Sequence, residues 1–398
     1  MKFGIDRLLA DPALRAPLEG KRVALLAHPA SVTADLTHSV DALIAAGLTV
    51  TAMFGPQHGV RGDLQDNMVE SPDFTDPTYG MPVFSLYGEV RKPTGQSMGT
   101  FDVMLIDLQD LGTRIYTFIT TLRYVLEAAA EHGKTVWVLD RPNPIGRPIE
   151  GLTLRPGWES FVGAGPMPMR HGLTMGELGQ WFIDLLKLDV DYRVIEMAGW
   201  QPDVAPGFGW PSDRVWINPS PNAPNVMMAR AYPGTVMLEG TTLSEGRGTT
   251  RPLELFGAPD IDARAVVAEM RRLAPEWLDG CQLRDIWFEP TFHKHVKTLC
   301  NGVHIHAEGP GYHHAAFRPW RVQALAFKAI RGLYPDYDLW RDFPYEYAFG
   351  KLPIDVINGG PGLRDWTDDS AATPRDLDAM TQPDEADWAE SRARFLLY

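Results

Sequence analysis

Asp102-Val103-Met104-Leu105-Ile106-Asp107-Leu108, a helical pattern from about Tyr116 to His132 stopped by Gly133, and Thr135-Val136-Trp137-Val138-Leu139 decide the fold. Both apolar runs are short and lack alternation with polar residues, so they read as strands covered on both faces. A helix between two such strands makes them parallel neighbours. Upstream, Arg22 to His28 is another short apolar run. Thr37 to Ala46 carries Val40, Leu43 and Ile44 at helical spacing before Gly47, and Leu48 to Phe54 reads as the next strand. The predicted class is α/β, with a Rossmann-like parallel sheet in the N-terminal part. Leu173 to Leu188 reads as a helix with Thr174 as N-cap and Glu177 completing a capping box. Ala198 to Pro259, rich in Gly, Pro, Trp and Asn, reads as ordered loop. Ala263 to Leu273 (helix), Val303 to Ala307 (strand) and Pro319 to Tyr334 (helix) make a smaller α+β part. Thr367 to Glu385 reads as a polar surface excursion before a final helix.

The length of 398 residues exceeds what one core comfortably fills and predicts two domains. With 44% hydrophobic and 22% charged residues the chain is an ordinary globular protein, and its net charge of −14 argues against a nucleic-acid partner. Cys281 and Cys300 are too few for a disulfide scaffold or a four-thiolate zinc site and read as free thiols. Asp6, Arg7 and Asp11 interrupt the N-terminal apolar residues, and no apolar run reaches the ~18–20 residues of a membrane span. A cytoplasmic protein without a membrane partner is expected.

In parallel sheets ligands sit at the carboxyl ends of the strands. Those ends run into Ala27-His28-Pro29, Gly55-Pro56-Gln57-His58-Gly59, Asp107-Leu108-Gln109-Asp110 and Asp140-Arg141-Pro142-Asn143. Neither a Gly-x-Gly-x-x-Gly turn nor a Walker-type loop follows, so no nucleotide cofactor is expected. Histidines gather between His293 and His314, but there is no Cys-x-x-Cys or His-Glu-x-x-His, and no metal is assigned. Arg61, Arg114, Arg141, Arg170 and Arg247 lie in or beside Gly/Pro-rich turns, a setting that suits guanidinium forks to a substrate carboxylate. Glu70, Asp107, Asp110, Asp140, Glu239 and Glu245 supply the carboxyl groups that glycoside hydrolysis would draw on. His58 and His171 each adjoin Gly near a strand end or loop.

Taken in order, Gly55-Pro56-Gln57-His58-Gly59-Val60-Arg61-Gly62, Ser85-Leu86-Tyr87-Gly88, Asp107 to Thr117, Leu139-Asp140-Arg141-Pro142-Asn143-Pro144, Arg170-His171-Gly172-Leu173-Thr174, Pro219-Ser220-Pro221-Asn222 and Glu245-Gly246-Arg247-Gly248-Thr249-Thr250 resemble the NamZ family, which contains exo-acting β-N-acetylmuramidases. The resemblance implies a Rossmann-like N-terminal domain over 1–225, a smaller C-terminal α+β domain over 226–398, and an active site between them. It implies release of terminal N-acetylmuramic acid from the non-reducing end of peptidoglycan-derived glycans; many relatives are exported, and the expected cytoplasmic location of this chain departs from them and points to imported wall fragments in recycling. The partner is then a small muramic-acid-containing saccharide. On this reading Glu70, Glu245, Asp110 and His58 are the catalytic candidates. Gln57, Arg61, Arg114, Tyr116, Asp140, Arg141, Asn143, Arg170, His171, Asn222, Glu239 and Arg247 are the binding candidates.

One departure bears on mechanism. Many family members carry Glu where this chain has Gln57, and an amide cannot pass a proton as a general acid. Three alternatives stay open: another carboxylate has taken the role, the substrate has changed, or the protein binds a sugar acid without turning it over.

Overall fold

The buried apolar runs become the parallel strands β1 (Arg22–Leu26), β2 (Thr49–Gly55), β4 (Pro82–Ser85), β5 (Val103–Ile106), β6 (Thr135–Leu139) and β7 (Tyr192–Ile195) of a computed structural model that describes residues 1–64 and 68–398. With the two-residue β3 (Phe74–Thr75), antiparallel at one edge, they form a seven-stranded sheet in the order β3-β4-β2-β1-β5-β6-β7. Val103 to Ile106 are all buried, because helices cover both faces and leave no side for polar alternation. On one face lies the helix Phe118–His132, which buries Phe118, Ile119, Leu122, Val125, Leu126 and Ala129 at helical spacing and ends at Gly133 with φ of 60°. The helix Met175–Leu186 starts on the Thr174–Glu177 capping box.

A second, antiparallel sheet lies in the C-terminal region, ordered β8 (Leu255–Ala258), β10 (Cys300–His306), β9 (Gln282–Phe288). The helices Ala263–Leu273 and Pro319–Leu333 accompany it. The class is therefore α/β with a mostly parallel main sheet and a smaller second sheet. One continuous hydrophobic cluster includes both Leu122 and Phe182 from the main body and Phe256, Trp320 and Phe327 from the C-terminal region. Among the described residues no helix is long and apolar enough to cross a membrane.

Two stretches depart from the sequence reading. Within 198–259 the structure has a helix, Val226–Thr235, a further helical turn, Val236–Gly240, and β8. Asn225 caps that helix by accepting a hydrogen bond from Met228 N at 2.8 Å. Pro233 and Gly234 inside it erase the usual periodicity. Gly234 is needed there because a Cβ would lie 2.0 Å from the Pro319 carbonyl oxygen. Residues 374–392, partly assigned to a polar excursion, form one long helix. Besides the buried Leu377 and Trp388, its contacts are ionic: Arg321 Nε reaches Asp378 at 2.8 Å, Arg321 Nη1 reaches Glu385 at 2.7 Å, and Arg155 reaches Asp384 at 2.7 Å. A helix with so few buried apolar residues shows little apolar stripe in its sequence.

Candidate active site

β2 ends at Gly55, and the following turn carries Gln57 and His58 to the carboxyl edge of the sheet. This turn folds back tightly: Gly59 N donates to the Pro56 carbonyl at 2.9 Å, and a Cβ on Gly55 would stand 2.8 Å from Val60 N. β5 leads through Asp107–Asp110 to Tyr116 and Thr117, just before the helix Phe118–His132. These two edges meet Ser220, Asn222, Met228, Tyr232, Glu239, Arg247, Tyr345 and Glu346 around one recess.

The polar side of the recess is a chain of hydrogen bonds. Thr117 Oγ1 donates to Gln57 Oε1 at 2.7 Å, and Gln57 Nε2 faces Glu346 Oε1 at 3.5 Å. Tyr87, at the end of β4, donates its hydroxyl to Glu346 Oε2 at 2.8 Å. Tyr345 donates to Glu239 Oε2 at 2.5 Å, and Arg247 Nη2 donates to Glu239 Oε1 at 2.6 Å. Burial is the main influence on the Glu346 carboxyl and pushes its pKa up to about 7, with the negative charge of Glu239 acting the same way; the hydrogen bonds from Tyr87 and Gln57 and the charge of Arg91 pull against it.

Glu346 also lines a second, outer cleft with Glu70, Arg91, Arg123, Tyr124, Phe161 and Tyr347. The outer cleft holds about 520 Å³, in the size range of small-molecule sites, whereas the inner recess holds about 40 Å³, room for water rather than a sugar ring. Arg91 stacks its guanidinium over Tyr87 at 4.1 Å and over Tyr347 at 4.7 Å, which places a cation beside the passage between the two spaces.

Six of the residues singled out in the sequence line the inner recess: Gln57, His58, Tyr116, Asn222, Glu239 and Arg247. The others are elsewhere, for definite reasons. Glu70 is half-exposed at the outer cleft, where the hydroxyl of Tyr347 and then the guanidinium of Arg91 hold its pKa below the ordinary carboxylate value, the wrong direction for a proton donor at neutral pH. Glu245 is fully buried behind Arg247. Lys294 at 2.8 Å, His293 at 3.2 Å and Arg247 at 3.0 Å surround it, and they hold its carboxyl well below the usual range despite burial, so it stays ionised. Asp110 accepts from Gly112 N at 2.6 Å and stands 3.6 Å from His171 Nε2, while His171 Nδ1 accepts from Leu173 N at 3.1 Å; both belong to the wall that shapes the loop.

The arginines divide in the same way. Arg114 is buried and donates to the carbonyls of Leu152, Met167 and Ile357 at 2.7–2.9 Å. Arg170 donates to the carbonyls of Ile145 and Phe317. Arg141 forms a two-point pair with Asp107 at 2.6 and 3.0 Å. Arg61 is exposed and lies over the Phe74 ring. Asp140 accepts from Thr174, Gly176 N and Tyr398, and Asn143 donates to the Leu173 carbonyl at 3.0 Å. These groups spend their hydrogen bonds on the protein itself, which is why a count of polar residues beside Gly and Pro overstates the site.

Sequence reasoning missed Glu346, Tyr345, Tyr87 and Arg91. The signal for the first two was short: Pro344-Tyr345-Glu346-Tyr347 sets one acid between two tyrosines after a proline. Tyr87 sat within a quoted motif. Among the described residues no group of three or more His, Cys, Asp and Glu side chains is placed to hold a metal ion.

Against known proteins, the family model described as exo-β-N-acetylmuramidase NamZ, N-terminal, matches residues 23–227, and its C-terminal counterpart matches residues 230–398. The chain belongs to the NamZ family. It is 41% identical over 401 aligned residues to the peptidoglycan β-N-acetylmuramidase NamZ of Bacillus subtilis (strain 168), covering 100% of this chain and 91% of that protein. Two crystal structures of DUF1343 family proteins from Bacteroides fragilis share the fold. One has a TM-score of 0.85 at 30% identity, the other 0.77 at 25%, and each alignment covers 100% of this chain and 98% of its counterpart.

Proposed function

We propose that this protein is a glycoside hydrolase that releases terminal N-acetylmuramic acid from the non-reducing end of peptidoglycan-derived glycans. The observation that carries the reading is the pair Glu239 and Glu346 on one recess, in a chain that matches a peptidoglycan β-N-acetylmuramidase along its length. One carboxylate is paired with a guanidinium and the other faces a phenol and an amide, so the two have unequal surroundings. Glycoside hydrolysis uses two carboxyl groups whose environments differ. The narrowing from the outer cleft to the inner recess suits a chain end rather than a chain middle. A sugar ring fits the outer cleft, where Arg91 and Arg123 give cations for a lactyl carboxylate; Asn222, Tyr116 and Ser220 on the inner recess supply hydrogen-bonding groups for a hydroxyl or the acetamido arm projecting into it.

The proposal includes a division near residue 225, with Gln57, Tyr116 and Asn222 contributed from one side and Glu239, Arg247 and Glu346 from the other. It also places the protein in the cytoplasm, acting on imported wall fragments; fractionation of the native cell tests that part. The test of the activity is incubation with the β-1,4-linked N-acetylmuramyl-N-acetylglucosamine disaccharide, with both monosaccharides followed by mass spectrometry. Release of both supports hydrolysis. Gln57 at the end of β2 favours a second reading, a sugar-acid binding protein, and saturable binding of intact disaccharide without products selects it.

A further inference from the structure

We propose that Glu346 is the general acid of this enzyme, and that Gln57 is a positioning residue that aims it. The inference rests on the muramidase reading above and concerns the atom that delivers the proton.

Four observations converge on Glu346. Its side chain is buried, at 5% exposure, yet lines both the inner recess and the outer cleft, so one carboxyl group stands where the two spaces meet. Both of its oxygens are oriented: Tyr87 donates to Oε2 at 2.8 Å and the Gln57 amide faces Oε1 at 3.5 Å. Thr117 donates to the amide oxygen at 2.7 Å, and the NH2 end points toward Glu346. The backbone is bent to present this side chain. Ala348 N donates to the Tyr345 carbonyl at 2.9 Å, and the two central residues of that turn, Glu346 and Tyr347, have φ of 44° and 64°. Gly or Asn normally fills such positions, and a side chain there costs about 1–2 kcal/mol per residue. The flanking tyrosines pin the turn, Tyr345 to Glu239 and Tyr347 to Glu70 at 2.9 Å.

The chemistry balances with water as the co-reactant. Protonated Glu346 gives its proton to the glycosidic oxygen as the C1–O bond breaks, and the bonding pair leaves on that oxygen as the 4-hydroxyl of the next sugar. Water adds its oxygen to C1, and the proton it loses returns to the carboxylates of the site. At neutral pH a carboxyl titrating near 7 is still partly protonated, which an ordinary glutamate is not.

The test compares two substrates on the full-length protein: the muramyl disaccharide, whose leaving alcohol needs a proton, and a nitrophenyl β-N-acetylmuraminide, whose leaving phenolate does not. For Glu346→Gln the expected result is a loss of about 10²–10⁴-fold on the disaccharide, less than about tenfold on the aryl substrate, and disappearance of the alkaline limb of the kcat/KM profile near pH 7. Equal losses on both substrates, or an unchanged disaccharide rate, overturn the assignment. In case Glu346→Gln does not fold, Tyr87→Phe serves alone. It removes a hydrogen bond that favours the ionised form, so the alkaline limb moves to higher pH; an unmoved limb overturns the assignment. A wild-type protein inactive on both substrates overturns the muramidase reading itself, an outcome distinct from either failure of Glu346.

Discussion

The carboxyl edges of β5 and β6 and the end of β2 carry the same kinds of residue, yet they do different work. After β5 and β6, Asp107, Arg114, Asp140, Arg141, Asn143 and Arg170 are buried and turned toward backbone groups or one another. Around the end of β2, Gln57 meets Glu239, Arg247 and Glu346, and these groups face a space. What distinguishes the regions is where the hydrogen-bonding capacity goes. A guanidinium whose hydrogen bonds end on carbonyls is a strut; a carboxyl with an oxygen facing a cleft can meet a ligand.

Arg247 is where the comparison is easiest to break. It joins Glu239 to Glu245 inside the protein, at 2.6 and 3.0 Å. Arg247→Met removes the cation between two buried carboxylates, of which Glu245 keeps Lys294, and is expected to cost about 3 kcal/mol of stability, read from the denaturant midpoint. The disaccharide rate should fall with it even in the folded fraction, because Glu239 loses its guanidinium neighbour on the pocket wall. A variant that loses stability but keeps its turnover number would put Arg247 among the struts.

Arg114→Met probes the other region. Three carbonyls, on Leu152, Met167 and Ile357, each lose a donor, although Met167 keeps Leu154 N at 3.3 Å. Each buried unsatisfied group costs about 1–3 kcal/mol, although Arg114 gives some of this back because burial already disfavours its charge, lowering its pKa to about 9. The expected net loss is about 3 kcal/mol, with kcat/KM of the folded fraction within about twofold of wild type. A larger fall in kcat/KM would return Arg114 to the site.

Asp140 sharpens the contrast through pH. Burial and then the nearby Glu177 raise its pKa from 3.8 to about 7. Between those values the folded protein binds more protons than the unfolded chain, so this contribution is complete below about pH 4 and is lost as pH rises through 7. Asp140→Asn should remove that part of the slope in thermal melts from pH 4 to 8 while leaving the alkaline limb of activity in place. If the limb disappears with Asp140→Asn, the proton that matters is on Asp140 and not on Glu346.

The strands were legible because their apolar runs are physically committed: Thr135–Leu139 can be little else than a covered strand, and Ala263–Leu273 has a clear apolar stripe. The carboxyl-edge loops were legible too, since topology alone puts a ligand there. Glu346 was not, because it reaches the end of β2 from 289 residues away along the chain, and no local pattern encodes that meeting. Nor could the sequence separate Arg114 from Arg247; both sit beside Gly in polar motifs, and only three-dimensional packing shows that one ends on carbonyls and the other on carboxylates. The Val226–Thr235 helix was hidden by its own Pro233 and Gly234.

Glu70 gives the smallest expected effect and the finest test of the boundary. Its side chain is 51% exposed, and it accepts from Arg91 at 3.1 Å and from Tyr347 at 2.9 Å. Glu70→Gln keeps an acceptor for Tyr347 and removes a charge from a solvent-screened pair, while Arg91 remains stacked over the rings of Tyr87 and Tyr347. The disaccharide rate should therefore change by no more than about threefold, with a modest shift in KM toward tighter binding of an anionic sugar as Arg91 loses its competing partner. A fall of a hundredfold or more would mean that the outer cleft, and not the junction at Glu346, holds the reacting bond, and the division between the two spaces would have to be redrawn around Glu70.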